Sequence, residues 1–305
     1  MTLLAPIMAA TPISPNLFAD AGGILSNEFM RYAFIAGTST ALLSGLVGYF
    51  VVLRSLAFAG EALSHVAFAA ALGGVLLGIE PLAGMFVITV AVAAGMGPLV
   101  DSARSADVAV GTVLAWVLGL GALLLSIYTS SAHAGSNGQI GISILFGSIF
   151  GVQLSQVQGS VIVGVPAVLL LLAVARPLLF ASIDATVAVA RGVPVRVLSA
   201  LFLVVLAITV AESVQVVGAL LVLSLLVLPA ATAQRLTARP FPALLLSALL
   251  AVAFTWAGLV LGYYTPYPVS FLITTLAFVA YVGTAGSQYL RLRWRNASPR
   301  GVATE

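Results

Sequence analysis

Apolar runs separated by short polar breaks dominate the chain between residues 29 and 290. The runs are continuous and rich in Leu, Ala and Val, without the alternation of membrane-spanning strands. Many approach the roughly 20 residues that a helix needs to cross a bilayer. We therefore predict nine membrane-spanning helices, or eight if two of the short runs form broken helices. The predicted spans are 29–53, 55–78, 82–100, 108–128, 160–180, 198–211, 214–233, 241–262 and 269–290.

Composition supports an all-α integral membrane protein built as a polytopic helical bundle. Of 305 residues, 61% are hydrophobic and 7% are charged, whereas soluble domains carry roughly 25% charged residues. The absence of cysteine excludes disulfides, iron–sulfur clusters and thiolate metal sites. The net charge of +3 is small and no basic patch is present, so we expect no nucleic-acid partner.

Three regions follow from the distribution of prolines, apolar runs and arginines. Residues 1–28 contain Pro6, Pro12 and Pro15 and lack the pattern of a cleaved signal peptide, so a loose or interfacial lead-in is expected. Residues 29–290 form the membrane domain, and residues 291–305 form a cytoplasmic tail rich in arginine.

Arginines fall in alternate loops, which predicts the orientation of the chain in the membrane. The loops that carry them should face the cytoplasm, with the N-terminus outside and the C-terminus inside. Loops around Glu80, 129–141, Glu212 and 263–268 carry no arginine and should face outwards. Residues 142–150 are apolar but too short to cross, so they are expected to be re-entrant or to lie flat. The arginines that define the inner loops are Arg54, Arg104, Arg191, Arg196, Arg235, Arg239 and the C-terminal cluster.

Glu61 and His65 are the main candidates for chemistry. Four residues apart on a helix, they lie on one face, about 10 and 16 Å beyond Arg54 along the axis. A carboxylate and an imidazole near the middle of a membrane can hold a divalent cation, and ionisable groups there usually line a substrate path. The structural alternative is that Glu61 pairs with His65 or Arg54 and only locks two helices together.

Two further regions are candidates for function. Glu212, near the predicted outer end of two spans, and His133, in an outer loop, are candidates for an outer gate or entry site. Residues 184–190 should form a short helix capped by Asp184 and closed by Gly192 and Pro194, inside the predicted inner loop that carries Arg191 and Arg196.

Five blocks, in order, resemble the ABC permeases for zinc, manganese and iron. The first comprises 50–56 followed by Gly60-Glu61-Ala62-Leu63-Ser64-His65, where the family usually has Asp in place of Glu61. Residues 144–148 resemble the family's Leu-Phe-Gly segment, and Ala190-Arg191-Gly192-Val193 resembles its coupling helix. Residues 217–222 and 228–233 resemble its Val-Gly-Ala-Leu and Pro-Ala-Ala-Thr-Ala segments.

The resemblance implies a transport subunit, not an enzyme, in the bacterial cytoplasmic membrane, with a fold similar to the cobalamin-type ABC importer permeases. Two permease copies would form the path, two ATPases would drive it, and an external solute-binding protein would deliver the ion. Glu61 and His65 would coordinate transported Zn²⁺ or Mn²⁺, with no permanently bound cofactor. The segment 184–194, including Asp184, Ala190, Arg191 and Gly192, would contact the ATPase. A separate ATPase is needed because the chain has no lysine and hence no phosphate loop.

Two other transport functions stay open at this point. A permease for a metal chelate of the siderophore or cobalamin type would share the helical plan but would not need an acid–histidine pair. An ion-driven secondary transporter could use Glu61 as a proton carrier, although the segment that resembles a coupling helix argues against it.

Overall fold

The computed structural model describes residues 26–100, 106–130 and 144–297 of the chain. In these ranges the regular structure is helical, with one 3₁₀ turn at Ile149–Gly151. The helices are α1 Glu28–Leu53, α2 Ala57–Leu76, α3 Pro81–Val100, α4 Ala106–Ser130, α5 Leu154–Ile183, α6 Ala185–Ala190, α7 Val195–Val217, α8 Val222–Leu236, α9 Pro240–Tyr264 and α10 Val269–Ala297.

Eight of the nine predicted apolar runs lie mainly within one helix each, whereas the run 214–233 is divided between the end of α7 and α8. Helix α6 is the predicted short helix. Within the described ranges, seven helices are long and apolar enough to cross a membrane, namely α1, α2, α4, α5, α7, α9 and α10. The other two, at Pro81–Gly97 within α3 and at α8, are shorter apolar helices. The prediction of an all-α, multi-pass membrane bundle is therefore confirmed.

Helix α1 lies at the centre of the bundle and packs against α5, α7, α8 and α9. Its glycines permit this close approach. A Cβ atom on Gly48 would lie 1.9 Å from the carbonyl oxygen of Leu226 in α8, and one on Gly45 would lie 2.7 Å from Cα of Ala248 in α9. The Ser247 hydroxyl also donates to the Gly45 carbonyl at 2.6 Å. Small residues therefore set the distance between α1 and its neighbours, as they commonly do in membranes.

A second group of helices surrounds α2, which packs against α3, α4 and α7. The chain reverses between α1 and α2 at Arg54–Leu56, where Ser55 has a positive φ of 57°. Arg54 donates to the Ser199 hydroxyl at 2.6 Å, and its guanidinium lies 5.5 Å from the centre of the Phe202 ring. This arginine thereby ties the α1–α2 turn to the first part of α7.

The predicted break at Glu212–Ser213 is wrong, because both residues lie inside the continuous helix α7 and are fully buried. Hydroxyl groups of neighbouring helices bond to Oε1 of Glu212, and Ser213 also finds partners within the bundle. The Ser213 hydroxyl donates to the Thr209 carbonyl at 2.7 Å and lies 2.9 Å from the Ser44 hydroxyl. Polar residues so bonded do not need water, so they do not end a membrane helix. The chain breaks instead between Val217 and Val222.

Two glycines allow residues 144–151 to pack closely against the connection between α7 and α8. Gly147 and Gly218 have φ values of 78° and 96°, and an added Cβ on either would lie 2.2 Å from backbone atoms of the other segment. Backbone hydrogen bonds run from Ala219 to Ile144 at 3.1 Å and from Leu220 to Leu145 at 3.2 Å. The short apolar piece is thus paired with the α7–α8 connection.

Candidate metal site

The candidate metal site consists of Glu61 and His65 on α2. His65 lies eight residues from the start of α2 and eleven from its end, so it is near the middle of the helix. Nε2 of His65 is 3.2 Å from Oε1 of Glu61, as predicted for side chains one turn apart. Arg54 contacts Ser199 and Phe202 on α7. Of the two pairings considered from sequence for Glu61, the one with His65 is formed.

Only one oxygen of the Glu61 carboxylate, Oε1, takes part in this contact. Its Oε2 atom is buried and has no hydrogen-bond partner among the residues that the structure describes. The side chains themselves are partly accessible, with 24% of Glu61 and 12% of His65 exposed. Phe58, one turn before Glu61, is 61% exposed. The pair therefore lies on the less buried face of α2. The second oxygen of Glu61 can still accept a hydrogen bond or bind a cation.

The two side chains offer oxygen and imidazole nitrogen ligands, a set that suits Mn²⁺ or Zn²⁺ and disfavours Cu(I). Nε2 and Oε1 are the two atoms that share the hydrogen bond, so a metal ion would take the place of the proton between them. No group of three or more His, Cys, Asp or Glu residues that could hold a metal occurs in the described part of the chain. One chain thus brings two ligand side chains together.

The short helix α6 has the predicted ends. The Asp184 side chain accepts from the Val187 amide at 2.9 Å, which is an N-cap bond. At the other end, Gly192 has φ 78°, and the Val193 and Gly192 amides donate to the Ala188 and Val189 carbonyls. This is the Schellman arrangement, which needs a residue in the left-handed region after the helix.

Exposed apolar side chains cover the outside of this short helix. Val187 is 42% exposed and Val189 is 62% exposed, while Ala188 is fully buried against the bundle. Ala190, Arg191 and Gly192 are also exposed. The helix thus presents two valines and an arginine on a rigid, capped turn, which is a surface suited to contact with another protein.

The remaining candidates do not join the Glu61–His65 pair. Glu212 is buried inside α7 and takes hydroxyl hydrogen bonds from α1 and α5, so it does not lie in an outer loop. His133 lies outside the described residues.

Sequence reasoning missed the hydroxyls around Glu212, because Ser39 and Ser160 are distant in the chain and no spacing links them. It also passed over Arg31 and Arg176, which are exposed side chains on α1 and α5.

Comparison with known proteins places the chain in a family. The sequence profile of the ABC 3 transport family matches residues 26–286. The chain belongs to this family. Among related members, the manganese import system permease protein ScaB of Streptococcus parasanguinis is 29% identical over 242 residues, covering 79% of this chain and 84% of ScaB. With its apolar helices, this membership identifies a multi-pass protein of the bacterial cytoplasmic membrane, as predicted.

Two solved structures of transporters have a fold similar to that of this chain. A structure titled PsaBC from Streptococcus pneumoniae in complex with Fab matches with a TM-score of 0.77 and 26% identity, covering 90% of this chain and 98% of that one. An inward-facing structure of a putative metal-chelate type ABC transporter matches with a TM-score of 0.68 and 15% identity, covering 90% and 91% of the two chains. The second likeness concerns the fold alone.

Proposed function

We propose that this chain is the membrane-spanning permease of an ATP-driven importer for a divalent metal ion, with Glu61 and His65 as its contacts to the ion. The observation that carries the proposal is the 3.2 Å approach of His65 Nε2 to Glu61 Oε1 in the middle of α2. The buried, unpartnered Oε2 of Glu61 supports it, because a buried acceptor without a partner is costly unless a ligand uses it.

Two copies of the chain would complete the coordination. A single chain supplies one carboxylate and one imidazole, whereas Mn²⁺ and Zn²⁺ take four or more ligands. The partial exposure of both side chains and of Phe58 leaves this face of α2 open to a second copy. A site shared by a homodimer would have two carboxylates and two imidazoles, and it could open when the copies move apart.

Mn²⁺ is the first choice of cargo and Zn²⁺ the second. Relatives named for manganese import, including ScaB, support Mn²⁺, and so does the carboxylate-containing ligand pair. Manganese transport system membrane proteins of Listeria are also similar along most of this chain. Zn²⁺ remains the alternative because imidazole nitrogen suits it equally well.

Energy would come from a cytoplasmic ATPase that docks on α6 and the turn after it. The exposed Val187, Val189 and Arg191 support this assignment, because a rigid helix with exposed apolar side chains can pass movement from one subunit to another. An external solute-binding protein would deliver the ion, as the family resemblance implies. The roles of Asp184, Ala190 and Gly192 are to cap and end this contact helix.

Metal uptake into vesicles tests the function. The full-length chain is reconstituted with its ATPase and solute-binding protein, and ATP-dependent uptake of Mn²⁺ and of Zn²⁺ is measured for wild type, Glu61→Gln and His65→Ala. We expect uptake of one ion in wild type and at least a tenfold loss in each variant. Glu80→Gln is the matched control, because Glu80 is an exposed acid outside the pair, and its uptake should equal that of wild type. Unchanged uptake by His65→Ala would remove the assigned site, and no uptake of either ion would favour a chelate as the cargo.

A further inference from the structure

A second polar centre lies in the bundle, built around Glu212 and apart from the candidate metal pair. Glu212 is fully buried in α7, and three hydroxyl groups surround its Oε1 atom. Ser160 of α5 donates to it at 2.7 Å, Ser39 of α1 at 3.1 Å and Thr40 of α1 at 3.3 Å. The centre therefore joins three membrane helices. It lies five residues before the end of α7, about 8 Å along the axis.

The placement of the three hydroxyls favours an ionised carboxylate. All three donate to the same oxygen, Oε1. Each hydrogen bond that a carboxylate oxygen accepts stabilises the charged form relative to the neutral acid. In an apolar bundle such a charge is costly unless it is matched by a positive one. Glu212 forms no ion pair with any described residue; the acid–base contact found in the described ranges joins Glu61 to His65.

The other carboxylate oxygen marks where the matching charge would lie. Oε2 of Glu212 is buried and accepts no hydrogen bond from residues 26–100, 106–130 or 144–297. Gly164 of α5 faces it, and a Cβ atom added there would lie 3.3 Å from Oε2 and 2.7 Å from the Ser39 hydroxyl oxygen. The glycine thus leaves the space beside Oε2 without a side chain. The Ser39 hydroxyl also lies within donating distance, 3.3 Å, of the Ser160 carbonyl oxygen, so a backbone oxygen is close to the group.

We propose that Glu212, Ser39, Thr40 and Ser160 form a binding site for a single Na⁺ ion that links α1, α5 and α7. The ligands are all oxygens, from one carboxylate, three hydroxyls and one carbonyl, and such hard ligands suit an alkali cation better than a transition metal. One carboxylate balances one positive charge, whereas a divalent ion would leave a net charge buried in the bundle. The site is distinct from Glu61 and His65, and the proposal does not depend on which metal is transported.

Direct binding of ²²Na⁺ tests this proposal. The full-length chain in lipid nanodiscs is equilibrated with ²²Na⁺, with choline chloride keeping the ionic strength constant. Wild type should bind about one ion per chain in a saturable manner. Glu212→Gln should lose this binding, and Ser160→Ala should weaken it roughly tenfold, because one bond to a charged group is removed. Glu80→Gln, a change in an exposed acid, should bind as wild type does.

Thermal melting distinguishes a bound Na⁺ from a bound proton and covers the case in which Glu212→Gln fails to fold. In saturating Na⁺ the Tm of wild type should be roughly 2–4 °C higher than in choline chloride at the same ionic strength. This difference should be smaller in Ser160→Ala. Absence of saturable ²²Na⁺ binding, or binding that persists in Glu212→Gln, would overturn the proposal. A Tm that rises on acidification but ignores Na⁺ would overturn it as well, because Glu212 would then hold a proton.

Discussion

Replacing Gly48 by alanine tests the central packing of the bundle. The added Cβ atom would lie 1.9 Å from the Leu226 carbonyl oxygen, whereas ordinary contacts begin near 3.4 Å. Helices α1 and α8 would have to separate by about 1.5 Å, and the obstacle is backbone, which cannot rotate away. Overpacking of this kind costs about 1–3 kcal/mol, and we expect the upper end of that range. The gain in helix propensity from glycine to alanine returns about 1 kcal/mol, so a net loss of about 2 kcal/mol is expected.

Thermal unfolding of the purified full-length chain in lipid nanodiscs measures this loss. A change of about 2 kcal/mol corresponds to a fall in Tm of roughly 4–8 °C for a chain of a few hundred residues. Gly119→Ala is the matched control, because Gly119 lies inside α4 and an added Cβ would meet no other described part of the chain within 4 Å. Its Tm should stay the same or rise slightly. A Gly48→Ala protein as stable as the Gly119→Ala protein would refute the close approach of α1 and α8.

The remaining predictions concern the α7–α8 connection and the contact helix. Gly218→Ala should lower Tm by several degrees, because φ is 96° and an added Cβ would lie 2.2 Å from backbone; Gly78→Ala, with φ 69° but no neighbour within 4 Å, should lower it less. Arg191→Glu should leave ATP hydrolysis running without metal uptake, and normal coupling would mean that α6 is not the ATPase contact. Asp184→Ala should weaken co-purification of the ATPase by removing a cap worth about 1 kcal/mol, whereas Asp184→Ser should retain it.

The candidate metal pair could be predicted from the sequence because both residues lie on one helix. A spacing of four residues fixes Glu61 and His65 on the same face, whatever surrounds them. The same local logic applies to α6, where Asp184 and Gly192 occupy the positions that a cap and a left-handed residue require. Features determined by neighbours in the chain therefore appeared in the structure as expected.

The predicted helix break at Glu212 and Ser213 is wrong because it depends on residues that are distant in the chain. Two polar residues in an apolar run resemble a boundary when the chain is read alone, because an unsatisfied polar group would not remain in the membrane. Their partners, Ser39, Thr40, Ser160 and Ser44, come from helices far away in sequence. The cost of burying them depends on those contacts, so the sequence pattern alone predicts the break several residues too early.

The sequence by itself determined the membrane class of this protein, its apolar helices and the pairing of Glu61 with His65, because hydrophobic length and helical periodicity are properties of contiguous residues. Only the tertiary structure decided which glycines lie against a neighbouring backbone, where α7 ends, and that a buried carboxylate is surrounded by hydroxyls from two other helices. These features depend on distances between segments more than a hundred residues apart in the case of Ser39 and Glu212. Such distances arise only when the helices pack.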